Sequence, residues 1–152
     1  MTQEQRDWLT SIAEQAKEAQ HVFPEMAACE AAEESRFGES RLAKEDNNLF
    51  GLKVHWHNVY DSVSLPTKEF LDGSWQVLNQ NFEKYATLQE CFEDRMKTLT
   101  RLAPHFAHYA EALVAKTPQE YVRCVSASWS TDPQRAQKVQ AIYDDFKSGS
   151  TI

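Results

Sequence analysis

The chain has 152 residues, 41% hydrophobic and 26% charged, with a net charge of −7 at neutral pH. That size and balance suit one folded domain with a buried core, and the acidic charge argues against nucleic-acid binding, which needs basic patches. With only 4 glycines and no internal repeat it is neither a linker nor a low-complexity chain. The first residues, Met1 to Asp7, lack the basic-then-apolar profile of a secretion signal. No apolar run approaches membrane-span length. Cys29, Cys91 and Cys124 show no C-x-x-C spacing, and their odd number reads as buried thiols, not a disulfide framework.

Thr2 to Gln20 has the spacing of an amphipathic helix burying Trp8, Leu9, Ile12, Ala16 and Ala19. Pro24 suits the first turn of a second helix, and Gly38 is expected to stop it. On a helical wheel Phe23, Met26, Ala27, Ala31 and Phe37 share one side, and Glu30 and Glu34 fall in the same sector. Two acids on an apolar stripe either point into a cleft, pair with buried cations, or contradict the helix. A carboxyl partly desolvated beside a second carboxylate has its pKa raised by roughly 1–3 units, which is what a general acid needs near neutral pH. The alternative is two solvated acids in surface salt bridges.

Ser40 is placed to cap a short following turn. Asn47-Asn48-Leu49-Phe50-Gly51 has turn composition, and its amides can hold the loop or bond sugar hydroxyls. His55 and His57 alternate about Trp56, but two histidines without a third ligand do not make a zinc site, so no metal is expected. Ser62 to Leu71 and Ser74 to Phe82 are extended runs joined at Asp72-Gly73, a hairpin turn pair. Pro66 confines the first run to a sheet edge. From Thr87 the chain is helical, with capping boxes at Thr87–Glu90 and Thr117–Glu120. The expected buried stripes are Leu88, Cys91, Phe92, Leu99 and Leu102, then Phe106, Tyr109, Leu113 and Val114, then Tyr121, Val122 and Val125. A last helix, capped by Asp132 with Pro133 at its first position, would bury Ala136, Val139, Tyr143 and Phe146, with a frayed tail from Ser148.

Several separated motifs, in order, resemble the N-acetylglucosaminidases of glycoside hydrolase family 73, the autolysin and flagellar-rod type of peptidoglycan hydrolase. The family pattern A-x-x-E-S-x-x-G-x-S-x-L-A, then N-N-L-F-G-x-K, is similar to Ala31 to Ala43 and Asn47 to Lys53. A small β-lobe with T-x-E-aromatic, a Gly turn and F-x-x-Y is similar to Thr67-Lys68-Glu69-Phe70, Gly73 and Phe82 to Tyr85. The family's G-Y-A-T-D-P resembles Ser128-Trp129-Ser130-Thr131-Asp132-Pro133, with tryptophan where relatives place an active-site tyrosine. Glu30 stands where many relatives carry glutamine, and Glu33 where many carry an apolar residue.

The resemblance covers roughly Phe23 to Phe146. It implies an α+β, mainly α, lysozyme-like fold over one domain, residues 1–152, with the β-lobe at about 54–85. It implies Glu34 as catalytic acid and Glu69 as the second acid. The candidate substrate-binding residues are Glu30, Asn47, Asn48, Phe50 and Trp129. Asp132 reads as structural despite its place in the motif. The implied activity is endo-hydrolysis of peptidoglycan at the β-1,4 bond between N-acetylglucosamine and N-acetylmuramic acid. No cofactor is needed, the partner is the glycan strand, and a monomer acting on the wall, in the periplasm or outside the cell, is expected. A muramidase or lytic transglycosylase of the same fold, or a wall-binding module without chemistry, are the alternatives.

Overall fold

A computed structural model of the chain describes residues 1–56 and 59–149, with backbone alone at Glu69 and Phe70. Thr2 starts α1 (Gln3–Glu18) with a reciprocal capping box: its hydroxyl accepts the Gln5 N–H, and the Gln5 side chain accepts the Thr2 N–H. Leu9, Ile12 and Ala16 form the buried stripe, with Trp8 and Ala19 partly buried beside them. Pro24 opens α2 (Pro24–Ser35) at its first position, where a missing N–H costs nothing.

The expected single stripe on α2 is corrected: every residue from Met26 to Ala32 is buried. The small Ala27, Ala28, Ala31 and Ala32 let α1 pack closely on one side, and the C-terminal helix described below packs on the other. Phe23 and Phe37 are only partly buried. The helix also ends earlier than expected, because Arg36 and Phe37 both turn left-handed, at φ 54° and 55°. Such a conformation costs roughly 1–2 kcal/mol per non-glycine residue, so the surroundings must impose it. Ser35 Oγ donates to the Ala31 carbonyl at 2.6 Å and accepts the Gly38 N–H at 2.9 Å, and the Phe37 ring packs on Trp8 at 5.8 Å. Gly38 is needed for a close approach: at φ 79°, a Cβ there would lie 2.8 Å from Trp8 Nε1.

Ser40 caps α3 (Arg41–Asp46) by accepting the Ala43 N–H. The hairpin follows as β1 (Asp61–Leu71) and β2 (Ser74–Lys84), paired antiparallel from Asp61 opposite Lys84 to Leu71 opposite Ser74. Asp72 and Gly73 both have positive φ, as a two-residue turn of this hand requires. Pro66 lies opposite Asn79 on β1, which among the described residues pairs with β2 alone and so has an open edge that tolerates the missing N–H.

The rest is helical: α4 (Leu88–Leu102), α5 (Ala107–Leu113), α6 (Pro118–Trp129) and α7 (Arg135–Ser148). Thr87 and Thr117 cap α4 and α6, accepting the N–H of Glu90 and Glu120. Each glutamate reaches back one residue before the cap, to the N–H of Ala86 and Lys116. Two stripe expectations are corrected. Val114 is 75% exposed and Phe106 45%, because α5 spans only Ala107–Leu113 and these two are its C-cap and N-cap, outside the helix. The last helix starts at Arg135, not Pro133, because the Asp132 carboxylate accepts the Gln134 N–H at 2.9 Å and closes a turn instead of a cap. The three cysteines are free and buried. Burial pushes the Cys29 and Cys91 thiols up to about 12, so neither is a nucleophile at neutral pH. Among the described residues, no helix is long and apolar enough to cross a membrane.

Candidate active site

Glu30 and Glu34 sit one turn apart in the second half of α2, and their environments differ sharply. Glu30 is 0% exposed. Its carboxylate accepts Arg95 Nη1 at 3.2 Å and Nη2 at 2.7 Å, Arg135 Nη2 at 2.8 Å, and the Tyr121 hydroxyl. Burial pushes this carboxyl up, but Arg95 and Arg135 together outweigh burial and hold it well below the usual carboxylate range. Glu30 is therefore a permanently charged core group. The expectation that it touches substrate is corrected, since no surface of it is accessible.

Glu34 keeps 25% of its side chain exposed. Its Oε1 accepts Arg135 Nε at 2.8 Å, while Oε2 has no hydrogen-bond partner among the described residues. Arg135, at the start of α7, has 2% exposure and spends its third direction on Ser126 Oγ at 2.8 Å. Glu34, Arg135, Glu30 and Arg95 thus form a chain of alternating charge, two carboxylates against two guanidinium groups. Buried ions survive only when paired and hydrogen-bonded in this way. His21 joins the cluster as a neutral ring. Arg95 Nη1 donates to its Nε2 at 3.2 Å, which leaves Nδ1 to carry the proton and donate to the Val22 carbonyl at 2.7 Å. Desolvation, then Arg95, lowers its pKa to about 4.

The aromatic candidates are held by the same cluster. The Arg95 guanidinium lies 4.4 Å from the Phe50 ring centroid and 4.2 Å from that of Trp129. Phe50 is 5% exposed, edge-on to Phe92 and Trp129, so it backs the site instead of lining it. Trp129, at the end of α6, is partly exposed and lines an open groove of about 720 Å³ with Ser126, Ser128, Thr131 and Asp132. Glu34 is not in that lining. Arg135 connects the two, bonding Ser126 on the groove wall and Glu34 beyond it.

The two asparagines clamp the hairpin to the body. Asn48 is 1% exposed: its amide donates to the Leu52 and Glu83 carbonyls and its oxygen accepts the Leu52 N–H. Both amide hydrogens and the oxygen are engaged with backbone at 1% exposure, so its expected sugar contact is corrected. Asn47 donates to the Tyr85 carbonyl at 3.1 Å and remains partly exposed. Glu69 lies on β1 opposite Gln76, and its side chain is outside the described residues. Trp56 is 83% exposed, the His55 N–H donates to the Glu83 carboxylate, and His57 is outside the described residues.

Arg95, Arg135, His21 and Ser126 are not singled out by the sequence, and Tyr121 is placed there only on a buried helix stripe. A signal existed for the two arginines. Arg95 lies on the α4 stripe of Cys91, Phe92 and Leu99, and Arg135 is one turn before Val139. Cations on apolar stripes were the complement that acids on an apolar stripe demanded.

A family model described as glucosaminidase, mannosyl-glycoprotein endo-beta-N-acetylglucosaminidase, matches residues 10–148. The chain is similar to an exo-glucosaminidase, LytG, of Bacillus subtilis, 30% identical over 142 residues, 92% of this chain and 50% of the relative. It is also similar to a protein of Lactococcus lactis described as a probable N-acetylmuramidase, 27% identical over 91% of this chain and 33% of the relative. The chain thus spans half the length, or less, of these curated relatives. Among solved structures, the catalytic domain of the autolysin Auto from Listeria monocytogenes superposes with a TM-score of 0.81 at 26% identity, covering 97% of this chain and 86% of that one. This likeness bears out the mainly helical, lysozyme-like architecture with a small β-lobe.

Proposed function

This chain belongs to the glucosaminidase family, and on that premise we propose that it hydrolyses peptidoglycan as an endo-β-N-acetylglucosaminidase, with Glu34 as general acid. The β-1,4 bond after N-acetylglucosamine is the one cut, and the enzyme acts as a monomer outside the cytoplasm. The observation that carries the acid assignment is the state of Glu34 itself: at the last turn of a core helix, partly exposed, with one oxygen anchored and the other open. Glu34 protonates the leaving glycosidic oxygen as positive charge develops on the sugar ring. The attacking group is either a water activated by Glu69 or the substrate's own 2-acetamido oxygen. Trp129 offers a ring face to a sugar, and its own orientation is fixed from behind by Arg95. Asn47 contributes at the cleft wall.

The test is Glu34→Gln on purified cell walls, with products identified by mass spectrometry. The folded variant should lose turnover by at least a hundredfold, and the native enzyme should release glycan ends reducing at N-acetylglucosamine. Ends reducing at N-acetylmuramic acid would instead support the muramidase reading, which the similarity to the Lactococcus protein favours. Full lysis by Glu34→Gln would remove the acid assignment.

A further inference from the structure

We propose that Arg135 is a positioning residue for the reaction: it fixes the rotamer of Glu34 so that Oε2 faces outward, and Glu30 keeps it paired when Glu34 takes up a proton. This rests on Glu34 being the acid. Arg135 directs three donors of one rigid planar group at three acceptors, Glu34 Oε1, Ser126 Oγ and Glu30 Oε2, each at 2.8 Å. Those acceptors belong to α2 and α6, while the arginine itself opens α7, so three helices lock its orientation. Its backbone is steadied by the Asp132 turn, which Lys138 also holds at 2.8 Å.

Glu34 needs such an anchor. It sits one residue before the end of α2, ahead of two left-handed residues, and its flexible side chain is partly in solvent. A free glutamate there would sample several rotamers, and misplacing a catalytic group by about 1 Å can cost roughly a hundredfold in rate. With Nε on Oε1, the other oxygen is the one left without a partner among the described residues, on a side chain that is 25% exposed. Sharing matters as well. A buried guanidinium paired with Glu34 alone would lose its counter-charge whenever Glu34 became protonated, a state that is heavily penalised. Because Nη2 is bound to Glu30, which stays charged, the arginine is never left alone.

The test uses Arg135→Gln, Arg135→Lys and Ser126→Ala, with steady-state kinetics on soluble glycan strands and urea melts for each. Arg135→Gln leaves Glu30 paired with Arg95 at 2.7 Å, so folding should survive. Its kcat should fall 10- to 100-fold with KM within twofold of native. Arg135→Lys, which retains one charged donor, should recover at least threefold over Arg135→Gln. Ser126→Ala, which removes one of three anchors, should lower kcat two- to fivefold at constant KM. A folded Arg135→Gln with native kcat, or Arg135→Lys no faster than it, overturns the proposal. If Arg135→Gln does not fold, native kcat in Ser126→Ala overturns it. Glu34→Gln is assayed alongside: if it is inactive while Arg135→Gln is unimpaired, only the positioning role is lost, whereas an active Glu34→Gln removes the acid assignment itself.

Discussion

Replacing Glu30 with glutamine isolates the electrostatics of the buried cluster, because the two side chains have nearly the same shape. Glu30 accepts four hydrogen bonds, three from guanidinium groups and one from Tyr121. Glutamine keeps one acceptor oxygen and turns the other into an NH2 that faces donors. Arg95 loses its carboxylate partner, and Arg135 is left with Glu34 alone. Breaking a buried pair from one side typically costs about 3–5 kcal/mol. For a chain of this size each kcal/mol moves Tm by about 2–4 °C, so a fall of about 6–20 °C is expected. A thermal melt measures that shift, and urea unfolding at pH 7, followed by circular dichroism, measures the loss in free energy, since urea does not screen charge. Adding Arg135→Gln removes one stranded cation, so the double variant should lose less than the sum of the singles. A loss below about 1 kcal/mol for Glu30→Gln, with an unchanged urea slope, would refute the view that this carboxylate balances two buried cations.

Stability should also depend on pH through His21, whose folded pKa of about 4 lies below its ordinary 6.5. Between those values the unfolded chain binds a proton that the folded one refuses, so stability falls as pH drops from 6.5 to 4, by at most about 1.4 kcal/mol per pH unit. Urea midpoints across that range should show the slope, and His21→Gln should flatten it; a slope identical to native would count against the neutral buried ring. Gly38→Ala should destabilise by about 1–3 kcal/mol, because alanine resists φ 79° and its Cβ meets Trp8; a thermal melt unchanged within error would contradict this. Asn48→Ala deletes three hydrogen bonds at 1% exposure and should cost about 2–4 kcal/mol. Hydrogen exchange should quicken at Leu52 and Glu83 in that variant, and unaltered protection there would show that Asn48 does not clamp the hairpin.

What could be read in the sequence was what neighbouring residues decide. Thr87 and Thr117 cap the helices they precede, Asp72-Gly73 turns the hairpin, and the α1 stripe is buried as its spacing requires. Motif order pointed to the family for the same reason, since each motif is a short local pattern. The loop asparagines were less legible, because one amide can serve a sugar or a backbone equally well; only the seam with β2 shows that Asn48 is spent on backbone.

The acids of α2 mark the limit most clearly. Their presence on an apolar stripe was plain, and with it three possible meanings. Tertiary structure split them: Glu30 is sealed against Arg95 and Arg135, whereas Glu34 keeps one oxygen open. Those partners lie 65, 105 and 101 residues away along the chain. Helical periodicity places a side chain on a face but says nothing of the charge that another helix brings to that face. Whether a carboxylate becomes core counter-ion or candidate acid is settled by that distant charge and by the water left around it.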